Sequence, residues 1–360
     1  MNPKYLIKKI IYKFFPNFIY EKRAVRNLLV NGSSIILYGE KTFDERVEEA
    51  ITNIATKTFP GSKEYKKMRK EMAKAYIKYK AKPMEYLLMN FKEDSKSNNE
   101  NKLTDGWRDY YMFKYSSIER IHELKFKYGL YCRLKNFFRR DAISIDENAK
   151  FDDFLTFARN HLKFIIKPEK GACGRGIHIY TYISDEETRV KFEELSKSNW
   201  ICESLIQQHS DMAKWNPDTV NTVRIPSIMT SNGPVILQPF FRTGRKGMVV
   251  DNAGAGGIYA VIDEVTGKII TDGFSEKGIY YPTHPDSKIK FKDSYIPQFK
   301  ELIEFNKLVH STMKEHKYLG NDFALTPNGW VLVESNWGQF VGQYVTKEGI
   351  KDKFESLMKQ

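Results

Sequence analysis

The sequence predicts a mixed α/β protein of the α+β kind, organised in two or three lobes. A chain of 360 residues is too long for one small core. Its hydrophobic content of 41% and aromatic content of 14% are enough to bury substantial cores. From about residue 106 helical and strand-like patterns alternate, and a clear hairpin signal lies near the C-terminus. Together these three observations predict the fold class.

The hairpin joins two apolar runs through Pro327-Asn328-Gly329. If the loop is these three residues, Gly329 supplies the positive φ of a bulged turn, and Asp322 lies directly opposite Glu334. Side chains alternate along a strand, so the hairpin has a polar and an apolar face. The predicted polar face consists of Asp322, Ala324, Leu332, Glu334 and Asn336. The predicted core face consists of Phe323, Leu325, Val331 and Val333.

The polar face of this hairpin is a candidate metal site. Two carboxylates that face each other across a strand pair repel unless a cation lies between them. Oxygen ligands alone, from Asp322, Glu334 and Asn336, suit a hard cation such as Mg²⁺, which usually leaves part of its shell to substrate phosphates. The alternative is the ordinary solvated face of an edge hairpin. The register and the apolar reverse face favour the metal.

The positive charge of the chain is concentrated in its N-terminal part. The net charge is +13, and residues 1–150 carry 32 Lys/Arg against 19 Asp/Glu, whereas residues 151–360 carry 26 of each. This distribution predicts a positive surface for an acidic partner, which is a membrane, a nucleic acid or a polyanionic substrate. Because no zinc-finger, helix-turn-helix or RNP-like run is present, nucleic acid is the least favoured of the three.

Residues 4–15 have the pattern of an interfacial helix on an anionic bilayer. Their apolar residues fall at helical spacing and are Leu6, Ile7, Ile10, Ile11, Phe14 and Phe15. The alternative is a helix packed on its own protein with a solvated basic face. We find neither a spanning apolar run nor a secretory signal, and the three cysteines lack metal-ligand spacing. We therefore expect a cytoplasmic protein, with a candidate peripheral contact on the inner face of the membrane.

The remaining pattern predicts the elements between these two regions. Residues 42–90 are predicted to be helical with a solvated lysine-rich face, and residues 92–105 to be a loop or linker. A helix is expected around 113–124, and a strand or turn region follows near Tyr128–Phe138. Next come a helix from about Asp146 to His161 and a strand over Lys163–Lys167. A further helix begins at Ser184, which forms a capping box with Glu187.

A glycine-rich segment follows the strand that ends at Lys167. Its three glycines, Gly171, Gly174 and Gly176, let backbone N–H groups turn toward an anion, and Lys167 can reach the same phosphates. The spacing is neither a Walker A nor a Rossmann motif. A plain glycine turn between two strands is the equal alternative.

A second strand, within Trp200–His209, carries a single acidic residue, Glu203. Such a strand can form a hinge whose backbone contacts an adenine edge. A polar residue a few positions later is then available to hold a ribose. The candidates are Gln207, His209, Ser210 and Asp211.

Two arginines interrupt or end the apolar strands of the middle region. Residues 221–230 and 234–242 are predicted to pair across a turn at Ser231–Gly233, which places Arg224 and Arg242 opposite each other on one face. Guanidinium groups in this arrangement require anionic partners, and phosphates or carboxylates fit. The glycine-rich segment 251–257 either approaches an acceptor closely or turns a corner.

The order of these elements resembles the ATP-grasp superfamily, and in particular the sugar-transfer-associated group of bacterial surface-polysaccharide gene clusters. The resemblance covers roughly residues 163–340. Besides the strand lysine, the glycine loop and the hinge, the matching motifs are Asn221–Arg224, Arg242–Gly244, Asp251–Gly257, Gly320–Asp322 and Glu334–Asn336. It implies a lid subdomain and a larger β-rich C-terminal lobe. The implied division is a basic helical region at 1–100, the first part of the ATP-grasp at 101–145, the lid at 146–200 and the catalytic lobe at 201–360.

The resemblance also implies roles for residues. ATP is held through Lys167, Gly171, Gly174, Arg175, Gly176, Glu203, Ser204, Leu205 and Asp211. Two Mg²⁺ ions are expected, on Asp322, Glu334 and Asn336, with Arg224 and Arg242 in catalysis. A second phosphate-binding lysine is expected at Lys125 or Lys127.

The implied activity is a carboxylate–amine ligase that works through an acyl phosphate. Its expected substrates are small-molecule or glycan carboxylates and amines, such as a sugar acid and an amino acid used in a surface glycan. The alternatives are a kinase on the same scaffold, a nucleic-acid-binding protein, and an inactive membrane-bound scaffold.

Overall fold

The computed structural model describes residues 43–360 apart from residues 55–57, 59, 118, 119, 121, 122, 172, 173, 175 and 339. The candidate membrane contact at residues 4–15 lies outside the described residues. Within the described part of the chain, no helix is both long enough and apolar enough to span a bilayer.

The described chain begins with a helical region that packs on the rest of the protein. Its helices are α1 (Phe43–Asn53), α2 (Lys63–Tyr79), α3 (Pro83–Leu88), α4 (Lys96–Asn101) and α5 (Asp105–Tyr115). The first three confirm the helical prediction for 42–90. The predicted linker at 92–105 is wrong, because Ser95 caps α4 and its residues bind the C-terminal segment. Asn98 Nδ2, for example, donates to the Lys347 carbonyl at 2.8 Å.

Helix α6 (Lys127–Phe138) replaces the strand or turn that the sequence predicts at this position. Its buried residues, Leu130, Tyr131, Leu134 and Phe138, recur every one, three or four positions and so lie on one helical face. The aromatic and β-like composition of the segment suggested a strand, but burial at helical spacing decides the conformation.

A small antiparallel sheet follows, with two helices against it. Its strands are β1 (Ala142–Ile145), β2 (Lys163–Pro168), β3 (His178–Thr181) and β4 (Trp200–Ser204), in the order β1-β4-β2-β3. The helices are α7 (Phe151–His161) and α8 (Asp185–Leu195). Ser184 caps α8 as predicted, since its hydroxyl accepts from Glu187 N at 3.2 Å. This unit has its own apolar core, which includes Phe154, Phe164 and Ile166.

A larger antiparallel sheet of eight strands forms the rest of the protein. Its order is β10-β9-β8-β7-β5-β11-β12, and β6 also pairs with β5. The strands are β5 (Thr222–Thr230), β6 (Gly233–Ile236), β7 (Phe240–Thr243), β8 (Ile258–Val261), β9 (Gly273–Phe274), β10 (Tyr280–Tyr281), β11 (Tyr318–Thr326) and β12 (Gly329–Asn336). The helices are α9 (Ser210–Ala213), α10 (Phe299–Thr312), α11 (Gly342–Thr346) and α12 (Lys351–Lys359), and a 3-10 turn spans Ala253–Ala255.

The β11–β12 hairpin confirms the predicted pairing of Asp322 with Glu334, but the loop and the strand register that produce this pairing differ from the prediction. Thr326 pairs with Gly329, so the loop is two residues long, and a bulge after Asp322 restores the expected register. The predicted faces beyond the bulge are wrong. Leu332 lies opposite Phe323, on the other face from the carboxylates, because the extra residue of the bulge shifts every later side chain by one position.

Candidate active site

The two sheets enclose a cleft with a volume of about 700 Å³. Strands β2, β3 and β4 of the small sheet contribute one wall, and β7, β11 and β12 of the large sheet contribute the other. Apolar side chains from both sheets line much of this space, and each sheet also contributes charged groups to the lining. A cavity of this kind is typical of a small-molecule site.

Asp322 is the centre of a charged cluster on the large sheet. Arg224 donates through Nε and Nη2 to the two oxygens of Asp322, both at 2.5 Å. Arg242 donates through Nη1 to Asp322 at 2.9 Å and through Nη2 to Asp251 at 2.7 Å. Burial alone would raise the pKa of Asp322, but the two guanidinium groups outweigh it and hold that pKa below its usual range. The carboxylate is therefore fixed in its ionised form.

The two arginines share a face, as predicted, but they are not opposite each other. Arg242 pairs with Thr222, and Arg224 pairs with Phe240, so the guanidinium groups are diagonal neighbours. The predicted symmetric return strand is broken between β6 and β7, where Gln238 has a φ of +51° and the register moves by one residue. The diagonal placement allows both arginines to reach the same carboxylate.

Asp251 is a second buried carboxylate in this cluster. One oxygen binds Arg242, and the other accepts from the backbone N and the hydroxyl of Thr222. Burial raises the pKa of Asp251, and the charge of Arg242 opposes that rise. The residue stands at the start of the glycine-rich segment 251–257, so the sequence marked the region but not the carboxylate itself.

The oxygen atoms of the predicted metal ligands suit a hard cation. Glu334 faces Asp322 across the hairpin and lines the same cleft. Asn336 does not line the cleft, yet its Oδ1 is buried and accepts no hydrogen bond from any residue that the structure describes. Such an unsatisfied oxygen is uncommon in a folded protein, and an amide oxygen of this kind fits a hard cation. Among the described residues only Arg224 donates to Asp322 Oδ1, so this oxygen retains a lone pair for a metal.

Lys167 lies on the wall opposite the metal candidates. Its Nζ is 2.9 Å from Glu203 Oε2, and Arg140 Nε donates to the same oxygen at 2.7 Å. Burial alone would raise the pKa of Glu203, but these two cations lower it to about 2. Glu203 therefore serves as an anionic anchor for Lys167. Because these ion pairs engage its carboxylate, only the backbone of this strand remains for the predicted contact with an adenine edge.

Arg140 connects this wall to the hairpin that carries the acidic residues. Besides Glu203, it donates through Nη1 to the Leu332 carbonyl at 2.6 Å and through Nη2 to the Val333 carbonyl at 3.1 Å. These carbonyls belong to the bulge that brings Glu334 opposite Asp322. No local sequence pattern indicates a role for Arg140, since its partners are 63 to 193 residues away.

Lys127 and not Lys125 reaches the cleft. Its Nζ donates to the carbonyls of Pro168, Glu169 and Gly171, at 3.0, 3.2 and 3.2 Å. Burial lowers the pKa of Lys127, and the charge of Glu334 partly counters this effect. Lys125 instead lies over the ring of Trp337. Of the two alternatives, the structure thus places Lys127 beside the start of the glycine loop.

The described glycines of that loop differ in position. Gly171 and Gly174 line the cleft, Gly176 does not, and Arg175 lies outside the described residues. Gly174 has a φ of +70°, and a Cβ there would lie 3.0 Å from Val250 Cγ2. The loop therefore packs closely against Val250, and only glycine fits this contact without strain.

The candidate residues of the hinge also differ in whether they line the cleft. Ser204 and Leu205 line the cleft, and the next three residues continue the lining as Ile206, Gln207 and Gln208. Asp211 does not line it, so its contact with the nucleotide stays a prediction. The carboxylate of Asp211 lies 3.6 Å from Nδ1 of His209, the N-cap of α9, and the side chain is 54% exposed. Asp218, a few residues later, lines the cleft instead.

A family comparison agrees with this geometry. The family model described as "Sugar-transfer associated ATP-grasp" matches residues 137–359, which is more than half of the chain. The chain belongs to this ATP-grasp family. Its fold is therefore the ATP-grasp fold, in which the small sheet and the large sheet flank the cleft. Among curated proteins, none matches this sequence.

Solved structures with a similar arrangement are distant in sequence. N5-carboxyaminoimidazole synthase from Aspergillus clavatus has 7% identity and a TM-score of 0.42, over 68% of this chain and 54% of its own. D-alanyl-alanine synthetase A from Vibrio cholerae has 14% identity and a TM-score of 0.39, over 65% and 60%. D-alanine–D-alanine ligase from Bacillus anthracis has 11% identity and a TM-score of 0.38, over 66% of each chain. This chain thus spans little more than half the length of the first two.

Proposed function

We propose that this protein is an ATP- and Mg²⁺-dependent carboxylate–amine ligase. The observation that carries the proposal is the arrangement of charge in the cleft. Lys127 and Lys167 lie on one wall, and the paired carboxylates Asp322 and Glu334 lie on the other. This arrangement suits a nucleoside triphosphate, whose phosphates are neutralised by lysine ammonium groups together with a bound cation.

The nucleotide occupies the cleft with its adenine against the hinge. The backbone of Leu205 offers N–H and C=O groups to the base, whereas the N–H of Ser204 already donates to the Asp141 carbonyl at 2.9 Å. Ile165, Ile179 and Val333 offer apolar contacts. Lys167, held by Glu203, and Lys127 neutralise the phosphates together with the glycine loop.

The acidic hairpin holds the metal. Asp322, Glu334 and Asn336 supply oxygen ligands, and the orphan Oδ1 of Asn336 supports this assignment. Bound Mg²⁺ would offset charge that develops on the transferring phosphoryl group. The number of ions is expected to be two.

In the reaction, a substrate carboxylate attacks the γ-phosphorus of ATP and forms an acyl phosphate with release of ADP. An amine then attacks the acyl carbon, and inorganic phosphate leaves. Arg242 lines the cleft and is the guanidinium available to the transferring group, whereas Arg224 does not line it and positions Asp322. This distinction refines the equal roles expected for the two arginines. The lid formed by the small sheet excludes water, which would hydrolyse the acyl phosphate.

The family description supports a role in sugar transfer, so we infer a sugar acid and an amino acid or amine as substrates, used in a bacterial surface polysaccharide. In this role the protein works in the cytoplasm, at the inner face of the membrane. Residues 4–15 are then a contact with that surface, as their amphipathic pattern suggests.

Product analysis tests this proposal. The chain is incubated with ATP, Mg²⁺ and paired panels of uronic acids and amino acids, and ADP and inorganic phosphate are measured. Release of both, dependent on a carboxylate and an amine, supports the ligase. Glu334→Gln should abolish the release, while Glu301→Gln, an exposed carboxyl in α10, should not. ADP with a stable phosphoester in place of inorganic phosphate would show a kinase and overturn the ligase.

A further inference from the structure

Helix α2 carries an unusual row of lysines. Six lysines of this helix are exposed, namely Lys63, Lys66, Lys67, Lys70, Lys74 and Lys78. Since a helix turns about 100° per residue, these side chains fall within about 120° of arc, along about 22 Å of helix. We call these six residues the lysine row. They form one continuous positive stripe on the surface of the protein.

The lysine row faces away from the core because the opposite face of helix α2 is buried. Met72, Ala75 and Tyr76 are buried in the core that the N-terminal helices share with the large lobe. Ser62 caps the helix, because its hydroxyl accepts from Tyr65 N at 3.0 Å. The row is therefore held on a rigid element that points away from the core.

The charge of the row is largely uncompensated within the described part of the chain. Lys78 lies 3.6 Å from Glu100, and the other five lysines form no ion pair with a described residue. Arg69, on the side of the helix, is already paired with Asp44. Most of the positive charge on this face is thus available to an external anion.

We propose that the lysine row is a docking surface for an anionic lipid bilayer. A straight row of ammonium groups on a rigid helix matches a flat anionic surface, and each lysine near such a surface strengthens binding by about fivefold. Residues 4–15 of the same chain combine lysines with an apolar face, which a bilayer can receive. Two weak membrane signals in one chain give stable attachment where either alone is marginal.

The same features disfavour a nucleic acid as the partner. Single-stranded nucleic acid is bound through aromatic stacking as well as positive charge. None of the three tyrosines of α2 is exposed, so the row offers no stacking platform. The proposal goes beyond the contact assigned to residues 4–15 and is independent of the reaction catalysed in the cleft.

The test is vesicle flotation of the full chain with matched charge variants. The row variant replaces Lys63, Lys67, Lys70 and Lys74 by Gln. The control variant replaces four exposed lysines elsewhere by Gln, namely Lys197, Lys277, Lys292 and Lys300. Both lose the same charge, and their thermal unfolding is compared with wild type to exclude misfolding.

On phosphatidylcholine vesicles that contain phosphatidylglycerol, we expect the row variant to bind at least about tenfold more weakly than wild type. The control variant should change less than about twofold, and binding should weaken with salt. Equal binding of the two variants would overturn the proposal. Stronger, row-dependent binding to a single-stranded RNA than to vesicles would also overturn it.

A third variant separates the row from the N-terminal segment. Ile10→Asp with Phe14→Asp removes the apolar contact and leaves the row unchanged. At low salt and a high phosphatidylglycerol content, where marginal binding is measurable, this variant should still prefer anionic over neutral vesicles. If it shows no such preference, the row contributes nothing and the proposal fails. Nucleotide binding, measured on every variant, should stay at the wild-type level, so a defect in the ATP site is recognised separately.

Discussion

Arg140 is expected to hold the two walls of the nucleotide cleft in register. Its side chain is 4% exposed, and Glu203 is 5% exposed. In Arg140→Met, Glu203 retains only Lys167, and the carbonyls of Leu332 and Val333 lose their donor. Breaking a buried ion pair by removing one partner costs about 3–5 kcal/mol of unfolding free energy. Arg140→Lys keeps the charge but cannot donate to all three acceptors, so we expect it to lower the free energy of unfolding by about 1–3 kcal/mol.

Nucleotide binding should weaken as well. The bulge that Arg140 supports positions Glu334, and its ion pair with Glu203 fixes the carboxylate that holds Lys167. We expect the dissociation constant for an Mg–ATP analogue to rise about tenfold or more in Arg140→Met, equivalent to about 1.4 kcal/mol. Urea unfolding and calorimetric titration measure the two effects.

Arg139→Met is the matched control for this prediction. Arg139 is the neighbouring residue with the same charge, but it is exposed and lies over the ring of Phe305. Arg139→Met should lower the free energy of unfolding by well below about 1 kcal/mol, as surface substitutions usually do. If Arg140→Met were as mild as Arg139→Met in both assays, the idea that Arg140 links the two walls would be refuted.

The same contact predicts a dependence on pH. The pKa of Glu203 is about 2 in the folded protein, below its ordinary value of 4.5. A depressed carboxyl pKa contributes stability that is present above the unfolded pKa and lost as the pH falls through the folded one. Wild type should therefore lose stability between about pH 4.5 and 2, and Arg140→Met should lose less over that interval. Parallel curves for both proteins would contradict this assignment.

Two further predictions concern the glycine loop. Gly174→Ala should weaken nucleotide binding and lower the free energy of unfolding by about 1–2 kcal/mol, because φ is positive there and the new Cβ meets Val250. The control Gly247→Ala has a positive φ but open space around the new Cβ, so it should lower that free energy by only about 1 kcal/mol of backbone strain. Calorimetry and urea unfolding give both values, and equal losses would exclude the contact. Lys127→Met should weaken binding of the nucleotide at least about tenfold, whereas Lys125→Met should leave it nearly unchanged. A larger loss of binding in Lys125→Met than in Lys127→Met would place the second phosphate-binding lysine at Lys125.

Local patterns were sufficient to predict much of the fold. The pairing of Asp322 with Glu334 followed from a turn signal and strand alternation, both of which are local in sequence. The strand that carries Lys167 and the cap at Ser184 were predicted for the same reason. The strand or turn region predicted near Tyr128–Phe138 is wrong, since an aromatic-rich segment is compatible with either conformation until its tertiary contacts decide.

The details of the site depend on contacts that the sequence does not encode locally. The bulge after Asp322 and the register shift at Gln238 each move side chains by one position, and neither leaves a recognisable motif. Arg140 acts through partners on β4 and β12, far away in the chain. Asp211 is predicted from its residue type and approximate position alone, and it does not line the cleft.

The most direct measurement is calorimetric titration of a non-hydrolysable ATP analogue with Mg²⁺ into the full chain. Wild type should bind, and both Glu334→Gln and Lys167→Ala should bind at least about tenfold more weakly, because each removes a charge that faces the phosphates or the cation. Glu301→Gln should match wild type. Absence of wild-type binding in the millimolar range, or unchanged binding by both variants, would contradict the assignment of this cleft as the nucleotide site.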